Sequence, residues 1–209
     1  MLKEHQKATI KAYDNSAEKF EKTIAQYDNY DETYDYLVEQ LQDGDAILDL
    51  ACGPGNISGY LSRRRVLTIT GYDLSVKMLE LAKKSMPHGM FLERSIISFT
   101  SEEPVDLVIN GFGFPYLQDD QIDQSLESSY KALNAHGLLY ISFMDGDKEG
   151  FETTSFHTED EFYLLHHDKD RIIDKLRGQG FSIKMQWKLG YEEPDGTITD
   201  DIIIIAEKG

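Results

Sequence analysis

The 209-residue chain is short of several things, and each shortage removes a class of function. It has one cysteine, Cys52, so no internal disulfide can form, which fits a reducing cytoplasmic setting. No run of apolar residues approaches the length of a membrane span, and the opening MLKEHQKATIKAYDN lacks the apolar stretch of a signal peptide. Basic residues are few: 21 Lys and Arg stand against 38 Asp and Glu, a formal charge of −17. Such a surface repels phosphate backbones, so nucleic acid is not an expected partner. The one basic cluster, Arg63-Arg64-Arg65, is expected to close a helix, where cations favour the macrodipole. No His, Cys and Asp set stands at metal-ligand spacing, so no metal is expected. With 40% hydrophobic residues, the chain is expected to fold as a single domain over 1–209.

What is present centres on ILDLACGPG, Ile47 to Gly55. An apolar run carrying one acid, Asp49, turns sharply through Gly53, Pro54 and Gly55 into a helical pattern. A second apolar run, LTITGYD, then ends in Asp73. A strand, a glycine turn, a helix and a second strand ending in an acid make a nucleoside-binding half-site. Around it the pattern predicts helices over 3–27, with Tyr13, Phe20 and Tyr27, and over 31–42. Strands are predicted at 46–51, 66–72, 90–92, 106–110 and 138–144, and helices at 56–64, 75–85, 121–133 and 169–179. The first strand is too apolar for an edge and should be central. Gly137 is read as a helix C-cap, Gly180 as closing the last helix, and 160–167 as partly helical or irregular. Residues 181–191 and 197–207, joined by Glu192-Glu193-Pro194-Asp195-Gly196, should pair as an antiparallel hairpin.

Together, ILDLACGPGNIS, YDLSVKMLELAKK, VDLVINGFGFPYL, LNAHGLLYISF and LRGQGFSI resemble the class I, Rossmann-like S-adenosylmethionine-dependent methyltransferases of the small-molecule type, over about residues 35–209. The resemblance implies an α/β fold: a doubly wound, mainly parallel seven-stranded sheet with an antiparallel last strand, helices on both faces and an N-terminal helical lead-in. It implies S-adenosylmethionine as cofactor and a small-molecule methyl acceptor. Residues 1–42 would be the lead-in or a lid, and 145–170 would line the acceptor pocket. Many members carry an Asp after the third strand, near the adenine amino group; FLERSIISF places Ser95 there, beside Ile96, with a hydroxyl instead of a carboxylate.

The resemblance also implies roles. Asp49 would orient the glycine loop and help hold the methionine ammonium; an acid between buried leucines must find a partner. Gly53 and Gly55 would let the backbone approach the ligand. Asp73 would take both ribose hydroxyls, and could also cap the helix beginning near Ser75. Leu74 and Met78 would flank the adenine, though Met78 fits plain core equally. Asn110 and Gly111 would pass the methionine part. Phe112, Phe114 and Tyr116 could wall the sulfonium or simply pack the loop. Tyr13 is a further cofactor contact, and with Phe20 it belongs either to a lid or to an amphipathic core face. His157, His166 and His167 lie in the segment that often lines the acceptor pocket; His166, His167 and Tyr116 are the candidate catalytic groups. Cys52 reads as packed and not nucleophilic. Two other readings stay open. An NAD-dependent oxidoreductase is opposed by the Gly53, Gly55, Gly59 spacing, by Asp49 and by the terminal hairpin. A catalytically silent cofactor-binding protein would share the fold.

Overall fold

The computed structural model describes residues 2–24, 28–154, 157–192, 196 and 198–209. Tyr27 and the turn residues Glu193, Pro194 and Asp195 lie outside the described residues, as does the side chain of His157.

The alternation in ILDL sets the architecture. In β1 (Ala46–Leu50), Ile47 faces one layer and Leu48 and Leu50 face the other, and all three are buried. The same two-sided burial recurs in β4 (Val105–Gly111) and β9 (Ile198–Lys208). Strands buried on both faces need helices on both faces. On the Ile47 side lie α2 (Asp31–Gln40), α3 (Asn56–Ser62) and α4 (Val76–Ser85). On the Leu48 side lie α5 (Asp119–Ala132) and α6 (Lys169–Gln179). With β2 (Thr68–Asp73), β3 (Met90–Glu93), β5 (Leu133–Met144) and β8 (Phe181–Glu192), the seven-stranded sheet has the order β3-β2-β1-β4-β5-β9-β8. β9 runs antiparallel to both neighbours, while the pairs among β1 to β5 are parallel. The central placement of β1, the reversed last strand and the terminal hairpin all follow the sequence reading.

Local signals explain several ends. Ser75 caps α4, its Oγ accepting from Met78 N–H, so the cap falls to Ser75 and not to Asp73. Gly180 ends α6 in the left-handed region at φ 101°. Beyond α3, the Arg65 guanidinium donates to the Val38 and Leu41 carbonyls, closing the C-terminal end of α2.

Two expectations need correction. The first is Gly137, which caps no helix. α5 stops at Ala132, and β5 starts at once because Leu133 is buried and pairs with Val105. Register then shifts to Leu107 opposite Leu138, so residues 134–137 bulge. A Cβ on Gly137 would stand 3.0 Å from the Asn134 carbonyl oxygen and 3.2 Å from that of Asp106, so the glycine serves close backbone approach. The second is 160–167, which is mostly strand. β7 (His157–Leu165) pairs antiparallel with β6 (Glu149–Thr154) as a separate two-stranded sheet. Tertiary contact decides this: Phe162 and Leu164 bury one face against Ala12 of α1 (Glu4–Ile24).

Gly71 of β2 is a demanding position. An added Cβ would lie 2.6 and 2.8 Å from two carbons of the buried Phe91 ring and 2.9 Å from Cys52 Sγ. Gly71→Ala is expected to destabilise the fold by about 1–3 kcal/mol through overpacking. An unchanged thermal midpoint would contradict that crowding.

Candidate functional site

Between β1 and β4 the strand order reverses, and open α/β sheets place ligands beyond the carboxyl ends of the strands at such a point. A cavity of about 290 Å³ opens there. The chain enters its wall through unusual backbone. Ala51 after β1 and Phe112 after β4 are not glycines, yet both hold positive φ, 52° and 54°. Such strain collects where a site imposes its geometry. Gly53 and Gly55 follow at φ 53° and 84°. Gly53 lines the cavity, whereas Gly55 stands behind it as the N-cap of α3, packed against Met86 and Ala82.

Two acids face this loop. Asp73 ends β2, with Oδ2 accepting from Gly53 N–H at 2.8 Å and Oδ1 from Ser75 N–H at 2.8 Å. Burial pushes its pKa up, while those backbone donors hold it down. Asp73 therefore fixes the glycine loop, a task the resemblance gave to Asp49. Asp49 instead accepts from Ser58 Oγ on α3 in a short hydrogen bond. It is 2% exposed, and burial pushes its pKa up to about 7, with Asp73 adding repulsion and Ser58 opposing.

Leu74, Met78, Ser95, Ile96, Gly111 and Tyr13 also line the cavity, as do Asp49 and Asp73. Asn110 does not: its Oδ1 accepts from Gly113 N–H and braces the turn after β4, leaving its buried Nδ2 without a hydrogen bond. Phe112 and Tyr116 face the cavity, but Phe114 is buried in the core beside Phe143. Cys52 is packed, and burial pushes its thiol well up.

Comparison with known proteins gives this geometry relatives. Residues 47–137 match the family model described as a methyltransferase domain. That match takes in β1 to β4, α3 to α5 and the glycine loop, so this part of the chain is similar to a methyltransferase domain. An uncharacterized methyltransferase of Oceanobacillus iheyensis is 28% identical over 138 residues, 66% of this chain and 56% of that protein. Trans-aconitate 2-methyltransferase of an Enterobacter species is 34% identical over 110 residues, 52% of this chain and 43% of that one. The chain thus spans about half the length of these relatives. Among solved structures, the 1,6-didemethyltoxoflavin-N1-methyltransferase of Burkholderia thailandensis, with S-adenosylhomocysteine bound, superposes with a TM-score of 0.71 at 15% identity, covering 100% of this chain and 91% of that one.

On this Rossmann-like frame, the remaining wall comes from distant parts of the chain. α1 supplies Gln6, Thr9, Ile10, Tyr13 and Phe20, and the β6–β7 hairpin supplies Glu152, Tyr163 and Leu164. α1 is fastened down at two places. Asp14 accepts from Ser75 Oγ at 2.7 Å and from Lys77 N–H at 3.2 Å, placing a carboxylate at the α4 N-terminus. Gln6 Nε2 donates to the Tyr116 carbonyl at 3.0 Å. The Tyr13 and Tyr116 hydroxyls share a short hydrogen bond. Burial pushes Tyr13 up to about 12 and Tyr116 well above the ordinary phenol value, so both remain neutral hydrogen-bonding groups near neutral pH.

The candidate histidines stand behind the wall and do not line it. His167 Nε2 lies 2.9 Å from the Phe114 carbonyl oxygen, and burial lowers its pKa. His166 Nδ1 lies 3.3 Å from the Asp145 carbonyl oxygen. Sequence reasoning missed Glu152, Asp201, Gln6 and Tyr163, which belong to the cavity only through tertiary contact. Among the described residues, no group of three or more His, Cys, Asp or Glu is placed to hold a metal ion, and no helix is long and apolar enough to cross a membrane.

Proposed function

We propose that the chain binds S-adenosylmethionine and transfers its methyl group to a small-molecule acceptor. The observation that carries this reading is one cavity joining two unlike halves: the Asp73-braced glycine loop, and a compartment roofed by α1 and the β6–β7 hairpin. The residues fit the cofactor. Asp73 keeps acceptor lone pairs beyond its two backbone donors, so it can receive ribose hydroxyls. Leu74, Met78, Ser95, Ile96, Asp49 and Gly111 all line the cavity; the first four would take the adenine, and Asp49 and Gly111 the methionine part. When bound, the cofactor supplies a methyl group on a positively charged sulfur, already activated for in-line displacement. The chain need then only align the acceptor, exclude water and take up a proton. The excess of acids and the small size of the cavity, about 290 Å³, favour a small molecule over nucleic acid as acceptor.

Calorimetry with S-adenosylmethionine, S-adenosylhomocysteine and NAD in parallel tests this. Binding of the first two and not of NAD is expected. Binding of NAD alone would overturn the reading in favour of an oxidoreductase.

A further inference from the structure

The charges lining the cavity are lopsided. Among the described lining residues, the acids are Asp49, Asp73, Glu152 and Asp201, and Arg94 is the only Lys or Arg. Arg94 belongs to the cofactor end: its backbone N–H donates to the Asp73 carbonyl, and its guanidinium meets the Tyr72 hydroxyl at 3.1 Å. The part of the cavity lined by the hairpin therefore carries the Glu152 carboxylate, with no Lys or Arg among its described lining residues.

Glu152 is the unexpected residue there. It pairs with Phe162 across the hairpin, so it lies on the face that buries Phe162 and Leu164 against Ala12, with Tyr13, Tyr116 and Met144 packed around them. An acid on such a face costs stability unless something offsets it. His166 Nε2 is 3.6 Å from Glu152 Oε1, and the side chain of His166 is 8% exposed. Lys148 Nζ is 3.1 Å from the same oxygen but is largely exposed, so solvent weakens that pair. Neither contact is a hydrogen bond: Glu152 Oε1 and His166 Nε2 are both buried without one, and Glu152 lines the cavity.

Resting on the methyltransferase reading, we propose that the acceptor is a nitrogen compound, an amine or N–H heterocycle without carboxylate or phosphate groups, and that Glu152 takes up its proton. The nitrogen lone pair forms the bond to the methyl carbon as the carbon–sulfur bond breaks and its electron pair goes to sulfur. The positive charge passes to nitrogen, and the N–H proton then passes to the Glu152 carboxylate. The Glu152 carboxylate favours the charge that develops, and the Tyr13, Tyr116 and Tyr163 rings lining the cavity favour it further. An anionic acceptor would meet Glu152 with no Lys or Arg among the described residues lining that compartment to offset the repulsion.

The test uses the full chain, labelled S-adenosylmethionine and three matched acceptor sets on the same aromatic skeletons: amines, phenols and carboxylates, with trans-aconitate added as a polycarboxylate. S-adenosylhomocysteine binding is measured alongside. Product confined to the amines is expected. Bound S-adenosylhomocysteine with product from phenols or carboxylates only, or from no set, overturns the nitrogen assignment. Failure to bind S-adenosylhomocysteine overturns the methyltransferase reading itself. Glu152→Gln should lower kcat about 100-fold, as loss of a proton acceptor does, with S-adenosylhomocysteine affinity unchanged. Wild-type kcat in that variant would remove Glu152 from the chemistry. Should it not fold, Glu152→Asp serves: it keeps a carboxylate but withdraws it by one methylene, so reduced kcat at unchanged cofactor affinity supports the assignment and unchanged kcat overturns it.

Discussion

Replacing Asp73 with alanine is expected to raise the dissociation constant for S-adenosylhomocysteine at least about 100-fold in calorimetry. Two hydrogen bonds from ribose hydroxyls to one carboxylate contribute about 3–6 kcal/mol together, at about 1.5–3 each for bonds to a charged group. The loss extends past those bonds, because Gly53 N–H and Ser75 N–H both donate to the same carboxylate. Without it, the loop that must approach the ligand loses its brace. Asp73→Asn should behave almost as badly, since its amide offers only one acceptor oxygen to two backbone donors. The fold should survive, because Asp73 lies at the end of β2 and not within its apolar layer. A dissociation constant within a few-fold of wild type would remove Asp73 from the site.

Asp49→Asn should do two opposite things. Asp49 is buried, and its pKa stands at about 7 in the folded chain. In the unfolded chain it is about 3.9. The folded state therefore prefers the protonated acid. This penalty is absent below about pH 4, grows as pH rises, and is complete above the folded pKa, where it reaches about 4 kcal/mol. Asparagine carries no charge to desolvate and can still accept from Ser58, so the empty variant should melt higher than wild type at pH 8 and show little difference near pH 4. Cofactor binding should move the other way. If Asp49 meets the methionine ammonium, the bound form needs the carboxylate, so wild-type affinity falls up to about tenfold per unit as pH drops below about 7. The variant should bind weakly, with that dependence lost. A lower melting point for Asp49→Asn at pH 8 would show that burial of the charge is not the dominant cost. A flat wild-type affinity between pH 5.5 and 8 would place the ammonium elsewhere.

Several residues show why half of the site was legible beforehand. Asp49, Gly53 and Asp73 belong to one continuous strand–loop–helix–strand unit, in which spacing alone brings acid, turn and acid to one edge. The periodicity of ILDL, read against LTITGYD, was enough to make β1 central and to predict a mainly parallel sheet, because strands buried on both faces have few alternatives. The hairpin of β8 and β9 was equally readable from two long alternating runs around a turn.

The other half was decided by contacts between distant segments. Glu152 reads as one more surface acid until β6 folds onto β7 and the pair packs on α1, more than 100 residues earlier in the chain. His166 and His167 looked like bases by residue type, yet past the end of β7 they turn to the Asp145 and Phe114 carbonyls and do not line the cavity. Asn110 looked like a ligand by position, yet it does not line the cavity and its amide oxygen accepts from Gly113 N–H. Ala51 and Phe112 hold left-handed backbone that neither residue type announces. The sequence by itself determined the fold and the glycine-loop half of the cavity, since local periodicity and short spacing encode both. Only the tertiary structure decided which side chains line the rest of the cavity, because those walls are assembled from α1, the end of β4, the β6–β7 hairpin and β9, and nothing in local sequence records which of their faces meet.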